Sequence, residues 1–186
     1  MAFWPFTKVT SSWGKFCHLL EIKGNSNMRM ILLLVISALI SACAGPIAKG
    51  PKFTSHPQLG NQESLFYLYK PNTHDGVTVC LKVFLNDLEK GCLSGQGFIR
   101  ANLPPGQYKV VLKPDAFITH NLLEFDVTLL AGQASYYAYY TTPGNAPDDA
   151  VATRFYSYGV DSGNNVIIKV DEDKALTELA QLNESN

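Results

Sequence analysis

Cysteine, histidine, clustered carboxylate and tyrosine are the side chains of this 186-residue sequence that could do chemistry. His56, His74 and His120 stand in stretches that read as a linker, a turn and an inter-strand loop, and none has metal-ligand spacing to another. They read as solvated loop histidines. Asp148-Asp149 and Asp171-Glu172-Asp173 could attract calcium, but the glycine-bearing ligand loop that such a site needs is missing, so a turn and a helix start are the simpler reading. No Gly-x-Ser-x-Gly elbow, phosphate-cradling glycine loop or His-Glu-x-x-His helix occurs. The expectation is no metal, no cofactor and no catalytic residue; scattered groups such as His120 and Asp126 would have to share a cleft to overturn it. The formal net charge of −1 leaves no sign excess to hold a phosphate backbone, which argues against a nucleic-acid partner. Tyrosine is the densest group: Tyr136, Tyr137, Tyr139 and Tyr140, followed by Tyr156 and Tyr158. Tyrosine combines apolar area with a hydrogen-bonding tip, so Tyr137, Tyr139, Tyr156 and Tyr158 could form an outward surface for glycan rings, peptidoglycan included, or for a protein. Strand propensity and core filling would explain the same residues.

The first of the three cysteines that matter follows an apolar run. After Arg29 the chain reads Ile31-Leu32-Leu33-Leu34-Val35-Ile36-Ser37-Ala38-Leu39-Ile40-Ser41-Ala42-Cys43. The uninterrupted apolar part is only about ten residues, roughly 15 Å as a helix, against the roughly 20 residues that a hydrocarbon core demands. That length and the small-residue ending fit a secretory signal. Ile40-Ser41-Ala42-Cys43 resembles the lipobox of bacterial lipoproteins, an aliphatic residue and two small ones before cysteine. Small side chains admit the peptidase, and a thiol can carry thioether-linked diacylglycerol. The resemblance implies cleavage before Cys43, lipidation of Cys43 and a further acyl chain, such as palmitate, on its new amino group; two chains already suffice for stable anchoring. Ala44, where aspartate commonly retains such proteins at the inner membrane, implies the periplasmic face of the outer membrane. Residues 1–27 are then an upstream extension or a long leader, with Met28 or Met30 as the alternative start, and 28–42 the signal peptide.

Cys80 and Cys92 would be the cysteines left in an exported domain, and such a pair suggests a disulfide. Register complicates it. A two-residue turn at Asn86-Asp87 sets Cys92 opposite Leu81 and sends Cys80 to the other face, whereas a three-residue tip would align the two cysteines. A disulfide and two separately buried thiols both remain open at this point.

These residues need a scaffold, and the pattern after Cys43 supplies one. From 44 to about 63 the chain carries Gly45, Pro46, Gly50, Pro51, Pro57 and Gly60 without apolar periodicity, so 43–63 reads as a lipidated start and flexible linker with a reach of roughly 25 Å. Beyond it, alternation takes over: residues 77–85, 107–113 and 123–129 each place aliphatic or aromatic side chains on every second position. Further strands are expected over 64–70, 97–103, 135–142, 154–160 and 165–170, with turns at Asn86-Asp87, Pro104-Pro105-Gly106, Ala131-Gly132 and Ser162-Gly163-Asn164-Asn165. Leu176, Leu179 and Leu182 then recur every three residues behind Asp171-Glu172-Asp173, which predicts a short C-terminal helix. Residues 64–186 thus form a mainly β domain, and eight strands fit a sandwich or a barrel.

Residues 65 to about 142 resemble a family of bacterial lipoprotein domains catalogued as domain of unknown function 2846. The landmarks are Leu65-Phe66-Tyr67-Leu68-Tyr69-Lys70-Pro71, Val83-Phe84-Leu85-Asn86-Asp87, Leu103-Pro104-Pro105-Gly106-Gln107-Tyr108, and Leu130-Ala131-Gly132-Gln133 with Tyr136-Tyr137. The resemblance implies an immunoglobulin-like or transthyretin-like antiparallel β-sandwich and brings no activity with it. Leu88 stands where a glycine often follows the hairpin aspartate. The function expected from all of this is a non-enzymatic, lipid-anchored envelope protein acting as an interaction or structural module; a peptidoglycan- or glycan-binding protein is the alternative.

Overall fold

The computed structural model describes residues 47–71, 79–115, 122–158 and 161–185, apart from the side chains of 158 and 161, and all of them belong to the unit 44–186. Among the described residues ten strands and one helix follow one another: β1 (Ser64–Lys70), β2 (Leu81–Leu85), β3 (Leu88–Leu93), β4 (Gly97–Leu103), β5 (Gly106–Pro114), β6 (Leu123–Leu129), β7 (Ala134–Pro143), β8 (Ala150–Tyr158), β9 (Asp161–Val170), α1 (Glu172–Leu179) and β10 (Asn183–Glu184). They build a β-sandwich. One sheet has six strands in the order β10-β4-β1-β7-β9-β8, the other four in the order β3-β2-β5-β6.

Apolar alternation decides the layering. β6 is the simple case: Leu123, Phe125, Val127 and Leu129 are buried between the sheets while Glu124, Asp126 and Thr128 face solvent. β1 is the opposite case, buried at all seven positions, because both faces of the larger sheet are covered. Phe66 and Leu68 join the inter-sheet core with Val83, Val110, Leu112, Tyr137, Tyr139 and Ile167. Leu65, Tyr67 and Tyr69 point the other way, into a second core closed by Phe53, Ala175, Leu179 and Leu182. The helix therefore roofs the larger sheet. Asp171 caps it by accepting from the Lys174 N–H at 3.0 Å, and Glu172 and Asp173 occupy its first turn, as the acidic start predicts.

Most pairings are antiparallel, with one sustained exception. β1 runs parallel to β7 from Leu65↔Ala134 to Tyr69↔Ala138. A parallel pair needs a long connection, and here the intervening chain makes β2 and β3, returns for β4, then makes β5 and β6 in the smaller sheet before rejoining β1. β3 was not among the expected strands. Leu88-Glu89-Lys90-Gly91-Cys92-Leu93 lacks alternation because this edge strand is half exposed and interrupted by a bulge.

The flexible linker expected over 43–63 is corrected from residue 47 onward. Ile47 pairs with Gly95, and Lys52 pairs with Asn183. The Ala48 N–H donates to the Gly95 carbonyl at 3.1 Å, Gly50 to Glu184 at 3.0 Å and Phe53 to Leu182 at 3.0 Å. Phe53 then meets Tyr67 and Phe98 edge-on, with centroids 5.9 and 5.7 Å apart. An extended segment satisfied by distant backbone needs no side-chain period of its own, and Gly50 and Gly97 allow the close approach. A Cβ on Gly97 would stand 2.7 Å from the Ala48 Cβ and would collide with the Ser185 hydroxyl. Segment 47–53 is thus a strap, laid between the end of β3 and the C-terminal tail.

Candidate functional site

The hairpin that carries Cys80 and Cys92 resolves the register question. Asn86 and Asp87 both take positive φ, 48° and 65°, and Leu85 pairs with Leu88, so the tip is a two-residue type I′ turn despite Leu88. With that turn alone the cysteines would diverge. The register then shifts: Phe84 pairs with Glu89 but Val83 pairs with Gly91, leaving Lys90 as the extra residue, and Gly91 takes φ 144°. Beyond the bulge Cys92 faces Lys82 instead of Leu81, so Cys80, two residues earlier, lies on the same face and diagonal to it. The two are joined in a disulfide with Cα atoms 5.5 Å apart. The bond fastens the start of β2 to the end of β3, and Asp115 sits beside it, donating its N–H to the Cys80 carbonyl at 2.9 Å. The Asp115 carboxylate pairs with Lys82 at 3.2 Å and raises the lysine's pKa. Cys80, Cys92 and Asp115 are the one group among the described residues with metal-ligand proximity, and their sulfurs are already bonded to each other.

Of the four tyrosines that could have formed an outward surface, two are corrected to core. Tyr137 and Tyr139 are 4% and 0% exposed, respectively, and belong to the inter-sheet core, where neither could meet a glycan. Tyr137 packs against Phe66 and Phe125 at 5.6 and 5.4 Å. The Tyr139 hydroxyl donates to Asn165 Oδ1 at 2.6 Å, and the Lys70 ammonium lies 5.6 Å from its ring. Tyr156 is half buried, and the Tyr158 side chain lies outside the described residues. Alternation along β7 separates Tyr137 and Tyr139 from Tyr136 and Tyr140, but both sets are aromatic, so period alone does not say which one faces the other sheet. In the event neither is free: Tyr136 stacks on Tyr67 at 5.3 Å under the helix, and Tyr69 and Tyr140 both donate to Glu178, at 2.7 and 3.2 Å. Burial raises the pKa of Tyr67, Tyr69, Tyr136, Tyr137 and Tyr140, and the Glu178 carboxylate adds to the rise at Tyr69 and Tyr140.

Two small clefts are lined by described residues. One, of about 230 Å³, is lined by His56, Leu59, Gly132, Gln133, Ala134 and Glu172. His56 Nε2 lies 3.2 Å from Glu172 Oε1, a pairing that sequence spacing could not show because 116 residues separate the two. A histidine beside a carboxylate can be oriented for proton transfer, but no hydroxyl, thiol or amine side chain lines this cleft to be activated. The other, of about 300 Å³, lies between Leu122-Leu123-Glu124 and Ala152-Thr153-Arg154, where the edges of the two sheets come together. Asp126 is exposed on β6, while Cys43, His74 and His120 lie outside the described residues. Asp148 and Asp149 are exposed and form no metal-ligating cluster with other described residues. Among the described residues no helix is long and apolar enough to cross a membrane.

Comparison with protein-family models, curated proteins and solved structures finds no match to this chain. The resemblance to the lipoprotein domain family therefore rests on the residues quoted for it.

Proposed function

We propose that this protein is a bacterial envelope lipoprotein, anchored by acyl chains on Cys43, whose β-sandwich is a non-enzymatic interaction or structural module at the periplasmic face of the outer membrane. The observation that carries the reading is the sequence Ile40-Ser41-Ala42-Cys43 behind a short apolar run. The Cys80–Cys92 disulfide supports it, since such bonds persist in oxidising compartments. The strap adds a geometric consequence. Ile47 is already paired and lies four positions beyond Cys43, so the free tether is at most about 14 Å long. That is about half the reach expected of a flexible linker, and the sandwich rides against the headgroups instead of above them.

Mass spectrometry of the native protein tests the anchor: a mature chain beginning at diacylglyceryl-modified, N-acylated Cys43 is expected, and Cys43→Ser should abolish acylation and membrane retention. An unmodified thiol with residues 28–42 still attached overturns the proposal. For the module role, crosslinking in intact cells should capture a reproducible envelope protein, whereas turnover of a small substrate by the purified chain would refute the non-enzymatic reading.

A further inference from the structure

Cys80, Lys82, Cys92 and Asp115 gather at one end of the smaller sheet, on the face turned away from the core. Leu81, Val83 and Leu85 point inward from β2, so Cys80 and Lys82 point outward, and the bulge at Lys90 brings Cys92 to the same side, opposite Lys82. Both cysteines are half-buried and Asp115 is exposed, so solvent reaches the disulfide. Backbone places Asp115. It follows Pro114, which pairs with Leu81 at the end of β5, and its N–H donates to the Cys80 carbonyl at 2.9 Å. Its carboxylate oxygens then divide: Oδ1 lies 3.2 Å from the Lys82 ammonium, while Oδ2 faces the Cys80 sulfur at 3.9 Å. A sulfur in a disulfide has no proton to give that oxygen. The oxygen and both sulfurs are nevertheless three donor atoms within 4.8 Å of one another.

We propose that this group is a reduction-dependent site for a zinc-type divalent cation: once a dithiol opens the bridge, the Cys80 and Cys92 thiolates and Asp115 Oδ2 hold the metal, and water takes the fourth position. Around a tetrahedral zinc, with Zn–S of about 2.3 Å and Zn–O of about 2.0 Å, donor atoms stand roughly 3.5–3.8 Å apart. The oxygen-to-sulfur spacing is close to that already, and the sulfurs part by side-chain rotation alone, since the hairpin holds their Cα atoms 5.5 Å apart. Opening the bond leaves the register in other hands: the Asn86-Asp87 turn, the bulge, and the pairing of β2 with β5 from Leu81↔Pro114 to Leu85↔Val110. Charge balances in both states. Lys82 neutralises Asp115 while the bridge is closed, and in the loaded site two thiolates and a carboxylate face a dication and the same ammonium. The chemistry balances too. A thiolate of the dithiol attacks one protein sulfur, the S–S bond breaks, and the reductant's second thiol closes its own disulfide as it frees the other sulfur, so that two electrons and two protons pass to the cysteine pair. Metal binding returns those two protons to solvent. This inference does not depend on lipidation of Cys43.

Cobalt(II) and zinc are the probes. Full-length protein, reduced with a phosphine and freed of excess reagent, should take up one more cobalt ion per chain than the oxidised protein, with a thiolate-to-cobalt charge-transfer band that added zinc abolishes. Cys80→Ser is the control, because it keeps Cys17 and Cys43 and so reports any metal that those sulfurs take. Asp115→Ala should weaken zinc binding by about tenfold or more in competition with a chromogenic chelator. Zinc should also slow alkylation of Cys80 and Cys92 in the reduced protein, read by mass spectrometry. Near-ultraviolet circular dichroism from the aromatic core should survive reduction or be restored by zinc, and a loss that zinc does not reverse would overturn the inference. Cobalt uptake by the reduced parent no greater than that of Cys80→Ser would overturn it as well. So would zinc binding by Asp115→Ala as tight as by the parent.

Discussion

Replacing Gly97 by alanine should pry the strap off the sandwich. Gly97 opens β4 at the point where three pieces of chain converge, and an added Cβ would lie 2.7 Å from the Ala48 Cβ, 3.0 Å from the Ser94 carbonyl oxygen and in collision with the Ser185 hydroxyl. Non-bonded carbons settle at about 3.5–4.0 Å, so Ala48 must retreat by about 1 Å. That displacement stretches the 3.1 Å Ala48–Gly95 hydrogen bond beyond any useful length. Enduring the overlap would cost about 1–3 kcal/mol. Releasing the strap forfeits its backbone bonds from Ala48, Gly50 and Phe53, each contributing about 0.5–1.5 kcal/mol. The two costs are similar, so the strap partly detaches and Tm falls by roughly 5–10 °C. Amide hydrogen exchange at Ala48, Gly50 and Phe53 is the assay, with at least tenfold faster exchange expected there and little change in β5 or β6. Gly132→Ala is the control: nothing stands within 4 Å of its added Cβ, and φ of +70° confines the penalty to the β6–β7 turn. Adding Ala48→Gly should restore part of the protection. Strap amides as protected in Gly97→Ala as in the parent would refute the reasoning.

The disulfide, the helix roof and the tyrosines each give a further prediction. Closing the Cys80–Cys92 loop, with a sequence separation of 12, should contribute about 3 kcal/mol in the chain-entropy account, so the double serine variant should lose about that much in urea unfolding; a loss below about 1 kcal/mol would show that the hairpin is preformed without the bond. Glu178→Ala removes the acceptor of both Tyr69 and Tyr140 and should destabilise by about 1–3 kcal/mol, with faster exchange concentrated in α1; loss spread evenly over both sheets would contradict it. The folded-state pKa of Tyr67, Tyr69, Tyr136, Tyr137 and Tyr140 is raised above the ordinary value of 10.0. The stability linked to keeping them neutral is complete below pH 10 and is lost as pH rises beyond it. Phenolate absorbance should accordingly rise in a cooperative step that coincides with unfolding, and smooth titration of all nine tyrosines near pH 10 would refute this.

How much the sequence disclosed differs from element to element for physical reasons. β6 was legible to the residue because one face meets solvent, so Glu124, Asp126 and Thr128 mark the alternation. β1 and β4 also fall at their expected bounds. What β1 does not disclose is that it is covered on both sides, since tyrosine is at home in a core or on a surface; the same ambiguity left Tyr137 and Tyr139 open to either reading, and both are core. The disulfide depended on a one-residue bulge at Lys90, and no local rule fixes a bulge before the partner strand is known. The strap had a single signal, the lone aromatic Phe53 among glycines and prolines, too little to outweigh the missing period. His56 and Glu172 meet only because the strap-to-β1 segment and the start of α1 lie side by side.

The strap also determines how a load on the amino-terminal end would reach the body. Tension applied at Ile47 meets the contacts with Gly95, Glu184 and Leu182 one after another, so they yield in turn like the teeth of a zip. Releasing the 17 residue steps between Ile47 and Ser64 pays out roughly 55–60 Å of extended chain before the central strand β1 bears any force. Pulled in an optical trap from its amino terminus, the molecule should lengthen first at low force and rupture later. An envelope that swells or shears would stretch this leash and leave the sandwich folded.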